Sequence, residues 1–581
     1  MMDKIIAFIL SIITAFSGAA MVNPVDGVLS VITGIPCSEE SINDSFIDGI
    51  GRNDVNSEDG LTGFYNNLIM IFIKDNTGVY KKYRLFRDNG LRLLGWCCPA
   101  NMYIASCGLK NFSQIEKLGE KLTAANDCVL GACPVPFTAS LPDRTPSDPF
   151  DDEGKWTESR PSGGNWYLEA INAREAFNYS EYFSHIKLGV VDSGFDTEHK
   201  ELSGKISFPN SREENRNNKE YHGTFVAGLI TAKENGEGVC GICQDSDLVC
   251  VDWQPSENQR WNTNLHIIFG FIRTVKAGAK VINFSVGTSA SAKQNDTGYI
   301  IGNRYDGMLY SWIISLLLGK GYDFLAVQSA GNGDADGEAI PALLNGHFSA
   351  IDSSNAKSLS FKVSAADILD RIIIVGAAKN NKNSNSLSFA SYSNYGDRVD
   401  IVAPGTSLYG LNVDGEYAYM AGTSASAPLV TAVAGLVWSI NPTLSAAEVK
   451  KIVLENTDKT ITDLRDNTVK YPFLNAKLAV EAALKTKYKM NTVRGTIEYD
   501  ASLMPYDSVK ITSGGKEKTI TAPDGNINLL FENDNGTINV LGEYEECVFN
   551  PVDFDFSGGE KEIIITPEYK PDSEPFDLIT E

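Results

Sequence analysis

Asp192, His222 and Ser424 are three side chains whose types can together drive acyl transfer. A serine hydroxyl is a weak nucleophile until a base takes its proton, and a neutral imidazole near pH 7 suits that task. A carboxylate must then orient the ring and stabilise its cation. Asp192 closes the apolar run Val190-Val191 and is followed by Ser193-Gly194, a carboxylate at a strand end with glycine for a sharp exit. His222 opens the small and apolar segment His222-Gly223-Thr224-Phe225-Val226-Ala227-Gly228. With 5 His and 51 Gly in 581 residues, a chance His-Gly-Thr is expected in about 0.03 chains of this composition. Ser424 lies in Gly422-Thr423-Ser424-Ala425-Ser426-Ala427-Pro428, leading into Leu429 to Trp438, a run apolar nearly all round that predicts a buried helix. Pro428 fits a first helical turn, which puts Ser424 at the helix amino end. Asn332 stands where the strand-like run Val327-Gln328-Ser329 ends in Gly331-Asn332-Gly333. Alone it reads as a turn residue. Beside the other three segments its amide reads as an oxyanion donor, aided by the Ser424 backbone N–H; one such donor is typically worth ~10²–10³ in rate.

These groups need a frame. From about residue 185 to 485 short apolar runs alternate with helical patterns, the signature of an α/β domain with a mostly parallel sheet. The predicted strands are 186–191, 248–253, 281–285, 324–329, 372–375 and 399–402, and helices are predicted over 263–277 and 445–454. Continuous hydrophobicity in the strands means that both faces are covered. In such sheets the working residues gather at the carboxyl ends of strands and on adjoining helix starts.

The chain order Asp, His, Ser is one of three known for this triad. An esterase of the α/β-hydrolase type needs its His after the Ser; here the last His, His347, precedes Ser424, and Ser426 stands where the second Gly of that motif belongs. A non-catalytic protein on the same fold is the other alternative, set against four intact positions. His185, His199, His266 and His347 read as surface or packing residues.

The four segments, with Val281-Ile282-Asn283-Phe284-Ser285-Val286-Gly287, resemble the subtilisin-like serine peptidases over about 155–485. The resemblance implies a three-layer α/β/α fold and endopeptidase activity. Asp192, His222 and Ser424 would form the triad, Asn332 the oxyanion donor, and Ser285, Val286 and Gly287 an edge that binds substrate backbone as an added strand. No cofactor is implied for the chemistry. A structural calcium is a weaker implication, with Asn235 and Glu201 as oxygen donors. Ala425, Leu429 and Ala432 depart from the common pattern, and the run from Gly422 to Leu429 looks kexin-like, leaving the branch and the cleavage preference open. Two insertions, 288–322 and 335–368, flank the strand bearing Asn332, either restricting access to the cleft or decorating the surface.

Length and composition set the surroundings. At about 150 residues per domain, 581 residues imply several units, and 43% hydrophobic content excludes global disorder. A net charge of −24 argues against nucleic acid as partner. Residues 1–20 read as a secretory signal peptide: an apolar run of about 12 residues is short of the about 20 a membrane span needs. Since Asp3 offsets Lys4, an uncleaved anchor is the alternative. The expectation is a secreted, extracellular or cell-surface protein whose mature form has no membrane span and whose substrate is protein or peptide.

Residues 21–145 read as a small α+β domain, with strands near 67–74, 91–94 and 102–106 and a helix over 112–124, ending in the linker Pro142 to Pro149. Position and likeness to subtilase propeptides make it an inhibitory, chaperone-like pro-segment acting in cis. The peptidase domain spans 146–488. Residues 489–581 read as a small antiparallel β-sandwich; their counterpart 491–581 holds 19 acids against 6 bases, a solvated module. Of ten cysteines, six precede residue 140, which makes disulfides feasible in an exported chain, while the Cys240-x-x-Cys243 pair reads as structural.

Overall fold

The structure is a computed structural model that describes residues 29–30, 33–36, 38, 40–57, 62–138, 166–209, 221–233, 238–253, 263–289, 297–381, 386–497, 509–513, 516–520, 526–532, 535–541, 547–556 and 562–569. The expected signal peptide, the Pro142–Pro149 linker and Asn235 lie outside these residues.

The first unit runs β1 (Thr62–Ile73), α1 (Val79–Asp88), β2 (Arg92–Cys97), β3 (Met102–Ser106), α2 (Phe112–Ala125) and β4 (Val129–Thr138). The strands pair antiparallel in the order β2-β3-β1-β4, the split β-α-β arrangement. Strand period two sorts the side chains into two cores: Ile69, Ile71, Tyr103 and Ala105 pack with α1 and α2, while Leu68, Met70, Phe72, Met102 and Ile104 face the other way. Asn111 caps α2, its Oδ1 accepting from the Gln114 N–H at 3.3 Å. Sequence reading missed α1, whose apolar positions are sparse, and β4, which carries two prolines.

The central sheet comprises β5 (Ile186–Asp192), β6 (Ser246–Asp252), β7 (Val281–Phe284), β8 (Leu325–Ser329), β9 (Ile372–Asn381), β10 (Ser386–Phe389) and β11 (Ile401–Pro404). Its order is β6-β5-β7-β8-β9-β11, all parallel, and β10 adds antiparallel to the end of β9. The chain moves from β5 outward to β6, then returns to place β7 on the opposite side of β5. That reversal is the topological switch point where such sheets bind ligands.

Helices cover both faces, which gives the three-layer α/β/α architecture. On one side lie α3 (His222–Thr231), α6 (Thr423–Ile440), α7 (Ala446–Glu455) and α8 (Ala476–Lys487); on the other lie α4 (Thr263–Lys276) and α5 (Thr297–Gly319). A hairpin of β12 (Leu408–Leu411) and β13 (Tyr417–Met420) packs on α3. Among the described residues α6 is long and apolar enough to cross a membrane, but it is wholly buried as the central core helix. Helix α5 fills most of the first insertion and is no surface ornament: Tyr310, on α5, packs with Phe271, Phe284 and Phe348 in one aromatic cluster.

The last unit has three sheets, β17-β14-β21, β16-β15-β18-β20 and β19-β22, formed by β14 (Asn491–Ile497), β15 (Val509–Ser513), β16 (Lys516–Ile520), β17 (Asn526–Phe531), β18 (Asn535–Leu541), β19 (Cys547–Phe549), β20 (Val552–Asp555), β21 (Glu562–Ile565) and β22 (Pro567–Tyr569). They share one core that includes Val493, Ile511, Leu529 and Ile538. The expected all-antiparallel pairing needs one correction: β14 and β21 run parallel, because a long connection returns the chain to the far side of β14.

Candidate active site

Asp192 is the last residue of β5 and is buried, its Oδ1 accepting from the Ser193 N–H at 2.7 Å. The same oxygen lies 2.5 Å from His222 Nδ1, a charge-assisted contact that fixes the ring and its tautomer. His222 starts α3, which is strapped to the loop after β5: the Gly223 N–H donates to Ser193 O at 2.8 Å and the Thr224 N–H to Gly194 O at 3.0 Å. A Cβ at position 223 would stand 2.7 Å from Gly194 O, so only glycine lets the two segments approach this closely. Thr224 Oγ1 accepts from the Asp196 N–H at 2.8 Å. The His-Gly-Thr triplet is thus explained residue by residue.

Ser424 is buried in the first turn of α6, and its position is set from two sides. Pro428 lies in the second turn, not the first as expected from sequence. Having no N–H, it leaves Ser424 O without its helical donor. Ser285 Oγ donates to that carbonyl at 2.9 Å, and Ser424 Oγ lies 3.4 Å from Ser285 O. Asn283 pairs with Val190, so Ser285, two residues on, is level with Asp192 across the switch point. Since α6 also packs on α3, the hydroxyl, the ring and the carboxylate gather at one end of the sheet.

Asn332 follows β8 and is held by its oxygen alone. Oδ1 accepts from the Thr423 N–H at 2.8 Å and from Thr423 Oγ1 at 2.9 Å. Nδ2 is buried with no acceptor in the protein and would lie 3.0 Å from a Cβ placed at Gly422. A buried donor without an acceptor costs free energy unless a ligand supplies one, and an oxygen bearing negative charge is its best match.

Ser285, Val286 and Gly287 continue β7 beyond its last paired residue and are buried; the Val286 carbonyl accepts from Gln328 Nε2 at 3.0 Å. Several positioning residues escaped the sequence reading. Asn283, buried in an apolar strand, donates through Nδ2 to Ser285 Oγ at 2.9 Å and accepts from Thr431 Oγ1 at 3.2 Å. Asn394 Oδ1 accepts from the N–H groups of Gly333 and Ile340 at 3.1 and 3.0 Å, which shapes the loop after Asn332. A polar side chain inside a β-rich apolar run was the one available signal for Asn283.

Of the other histidines, His185 lies at the surface, 3.4 Å from Asp245 and 3.2 Å from Asp247. His347 and Asp306 are both buried with Nδ1 3.2 Å from Oδ2, a His–Asp pair that joins the two insertions and was not read from sequence. Cys97, Cys107, Cys128, Cys133 and Cys243 carry free thiols, and burial pushes Cys133 and Cys243 up to about 12, which makes them inert.

Calcium needs roughly six to eight oxygen ligands. Glu201 is buried, its Oε1 accepts from the Tyr417 hydroxyl at 2.7 Å, and its N–H donates to His199 Nδ1 at 3.3 Å. Among the described residues no three His, Cys, Asp or Glu side chains come together to hold a metal. The described surroundings of Glu201 therefore do not make a calcium donor set.

The subtilase family model matches residues 184–475. Subtilisin DY of Bacillus licheniformis is 28% identical over 290 residues, covering 49% of this chain and 86% of the relative. Thermitase of Thermoactinomyces vulgaris is 27% identical over 322 residues, 54% of this chain and 92% of the relative. The minor extracellular protease Epr of Bacillus subtilis is 26% identical over 333 residues, 55% of this chain and 42% of the relative. Among solved structures, fervidolysin from Fervidobacterium pennivorans, a keratinolytic enzyme related to subtilisin, aligns over 88% of this chain and 79% of its own at 16% identity and a TM-score of 0.48.

Proposed function

The chain belongs to the subtilase family and is a subtilisin-like serine peptidase, and from that premise we propose how its residues hydrolyse a peptide bond. Ser424 Oγ attacks the scissile carbonyl while His222 Nε2 takes its proton. Asp192 holds the opposite nitrogen and stabilises the imidazolium that forms. Negative charge developing on the carbonyl oxygen is met by Asn332 Nδ2 and the Ser424 N–H at the positive end of α6. The tetrahedral intermediate collapses, the amine leaves with the proton held on His222, and water then releases the acyl group by the same proton path. Ser285, Val286 and Gly287 bind the substrate main chain as an added strand, which favours broad sequence tolerance. The observation that carries this reading is the 2.5 Å contact between Asp192 and His222 on the strand-end row where Ser424 is anchored.

The test is Ser424→Ala, with peptide hydrolysis and covalent labelling by a serine-directed fluorophosphonate both falling to background while circular dichroism is unchanged. Retained hydrolysis would point to another nucleophile.

The wider reading is of an exported, self-processed zymogen. Residues 1–20 serve as signal peptide, 21–145 as inhibitory and chaperone-like propeptide acting in cis, 146–488 as peptidase and 489–581 as acidic accessory module. The leader-like composition of 1–20 and the likeness to a relative named as extracellular support export to the cell exterior or surface. The antiparallel sheet of β1 to β4, seated on α4 and α5, supports a folded pro-segment. N-terminal sequencing of the released enzyme tests both cuts. A start after Ala19 or Ala20 in an inactive-serine variant fits the leader, and a start between 139 and 165 in the active enzyme fits the processing. Calcium has no place in this mechanism.

A further inference from the structure

The sheet of β1 to β4 is apolar on both faces. Antiparallel sheets commonly leave one face in water and alternate accordingly. Here Ile69 and Ile71 meet α1 and α2, and Leu68, Met70 and Phe72 merge with the core of the peptidase domain. The receiving surface is equally unsuited to water. In α4, 12 of 14 residues are buried, so the helix has apolar side chains both toward the central sheet and toward the N-terminal one. Edge-to-face ring pairs cross the boundary: Phe46 with Phe269 at 6.4 Å, Phe72 with Trp312 at 5.6 Å and Phe112 with Tyr305 at 5.3 Å between centroids. Arg273 and Asp44 pair at 2.5 Å with both side chains largely buried, and Lys320 Nζ donates to Cys98 O at 2.7 Å. An apolar boundary with a few satisfied polar contacts is the composition of an obligate interface, not of one built to open.

We propose that residues 40–138 are a permanent subunit of the mature enzyme: the domain stays on α4 and α5 after the chain is cut, and processing severs a link without releasing a part. This rests on the self-processing reading for the origin of the cut, though not for the strength of the hold. Release would expose an apolar patch on each partner, a liability for an exported protein.

The decisive experiment separates the two. A recognition site for an unrelated sequence-specific protease is placed within 139–165 of the full-length Ser424→Ala chain, which is then cut to completion and run on a sizing column at about 10 nM, well below the concentration that sustains a transient contact. The two fragments are expected to co-elute at the mass of the uncut chain, in about 1 M salt as well as in dilute buffer, since screening weakens ion pairs and leaves apolar burial intact. They should part only in denaturant. Fragments that elute separately in dilute buffer, or that separate on addition of salt, overturn the proposal. Arg273→Ala, cut in the same way, should still co-elute, because the hold is apolar; its separation would likewise overturn it. The chain with its native serine, incubated alone, reports on self-processing independently: failure to cut itself between 139 and 165 refutes that reading and leaves retention to be decided by the engineered cut.

Discussion

Asn332 divides its amide between two tasks: the oxygen is committed to Thr423, and the nitrogen is left buried with no acceptor in the protein. Removing that donor should act on the transition state and little on substrate binding. Asn332→Ala is expected to lower kcat by ~10²–10³ with KM nearly unchanged, measured by steady-state hydrolysis of a small peptide substrate. A fall confined to KM would remove the oxyanion role. Thr423 acts through Asn332 and is a positioning residue. Thr423→Val keeps the backbone donor and deletes one of the two bonds to Oδ1, so it should give a smaller kcat loss, partly recovered in Thr423→Ser. The four chemical side chains were legible because each lies in a segment whose neighbours are small for a visible reason. Asn283, Thr431 and Asn394 were not, since an isolated amide or hydroxyl carries no pattern until its partners are known.

At the scale of elements, the cleft rests on a wedge of aromatic rings between α4, α5 and β7. Phe271 lies 6.2 Å from Phe284, 5.5 Å from Phe324 and 5.0 Å from Phe348, and it is fully buried. Phe271→Ala should cost about 3–5 kcal/mol, lowering the melting temperature, because the surrounding rings are held by three elements and cannot collapse into the space. Activity at low temperature should persist, as β7 remains pinned by β5 and β8 on either side. The parallel strands were readable from continuous apolar runs bounded by turn residues. Their order was not: parallel neighbours are joined by crossovers of similar length whichever partner they choose, and no local pattern says that β7 returns to the far side of β5.

Across the whole molecule, the acidic C-terminal module is docked on the peptidase domain through a buried polar contact. Tyr179 donates to Glu481 Oε1 at 2.8 Å and accepts from the Leu530 N–H at 2.9 Å, while Lys518 Nζ donates to Asn178 O at 2.9 Å and lies 4.4 Å from the Tyr179 ring centroid. Burial holds the Glu481 carboxyl above its ordinary value of 4.5, with Lys477 opposing the rise. A raised folded value means that the folded state binds the proton more tightly than the unfolded one. Its contribution is therefore fully present below about 4.5 and is lost as pH climbs through the raised value. Melting measured across that window should show wild type losing stability with rising pH, and Glu481→Gln, which stays neutral, should flatten that part of the curve. Tyr179→Phe leaves the Leu530 N–H and the Glu481 oxygen without this partner and should cost about 1–3 kcal/mol.

The amino-acid sequence by itself determined the family, the α/β alternation and the identity of the reacting groups, because each depends on residue types within a few positions of one another. Only the tertiary structure decided that Ser285 replaces the helical donor that Pro428 denies to Ser424. It also decided that His347 finds Asp306 across two insertions, and that the first unit shares its core with the peptidase. Those outcomes join residues tens to hundreds of positions apart, and burial in a common core, which no local pattern encodes, is what brings them together.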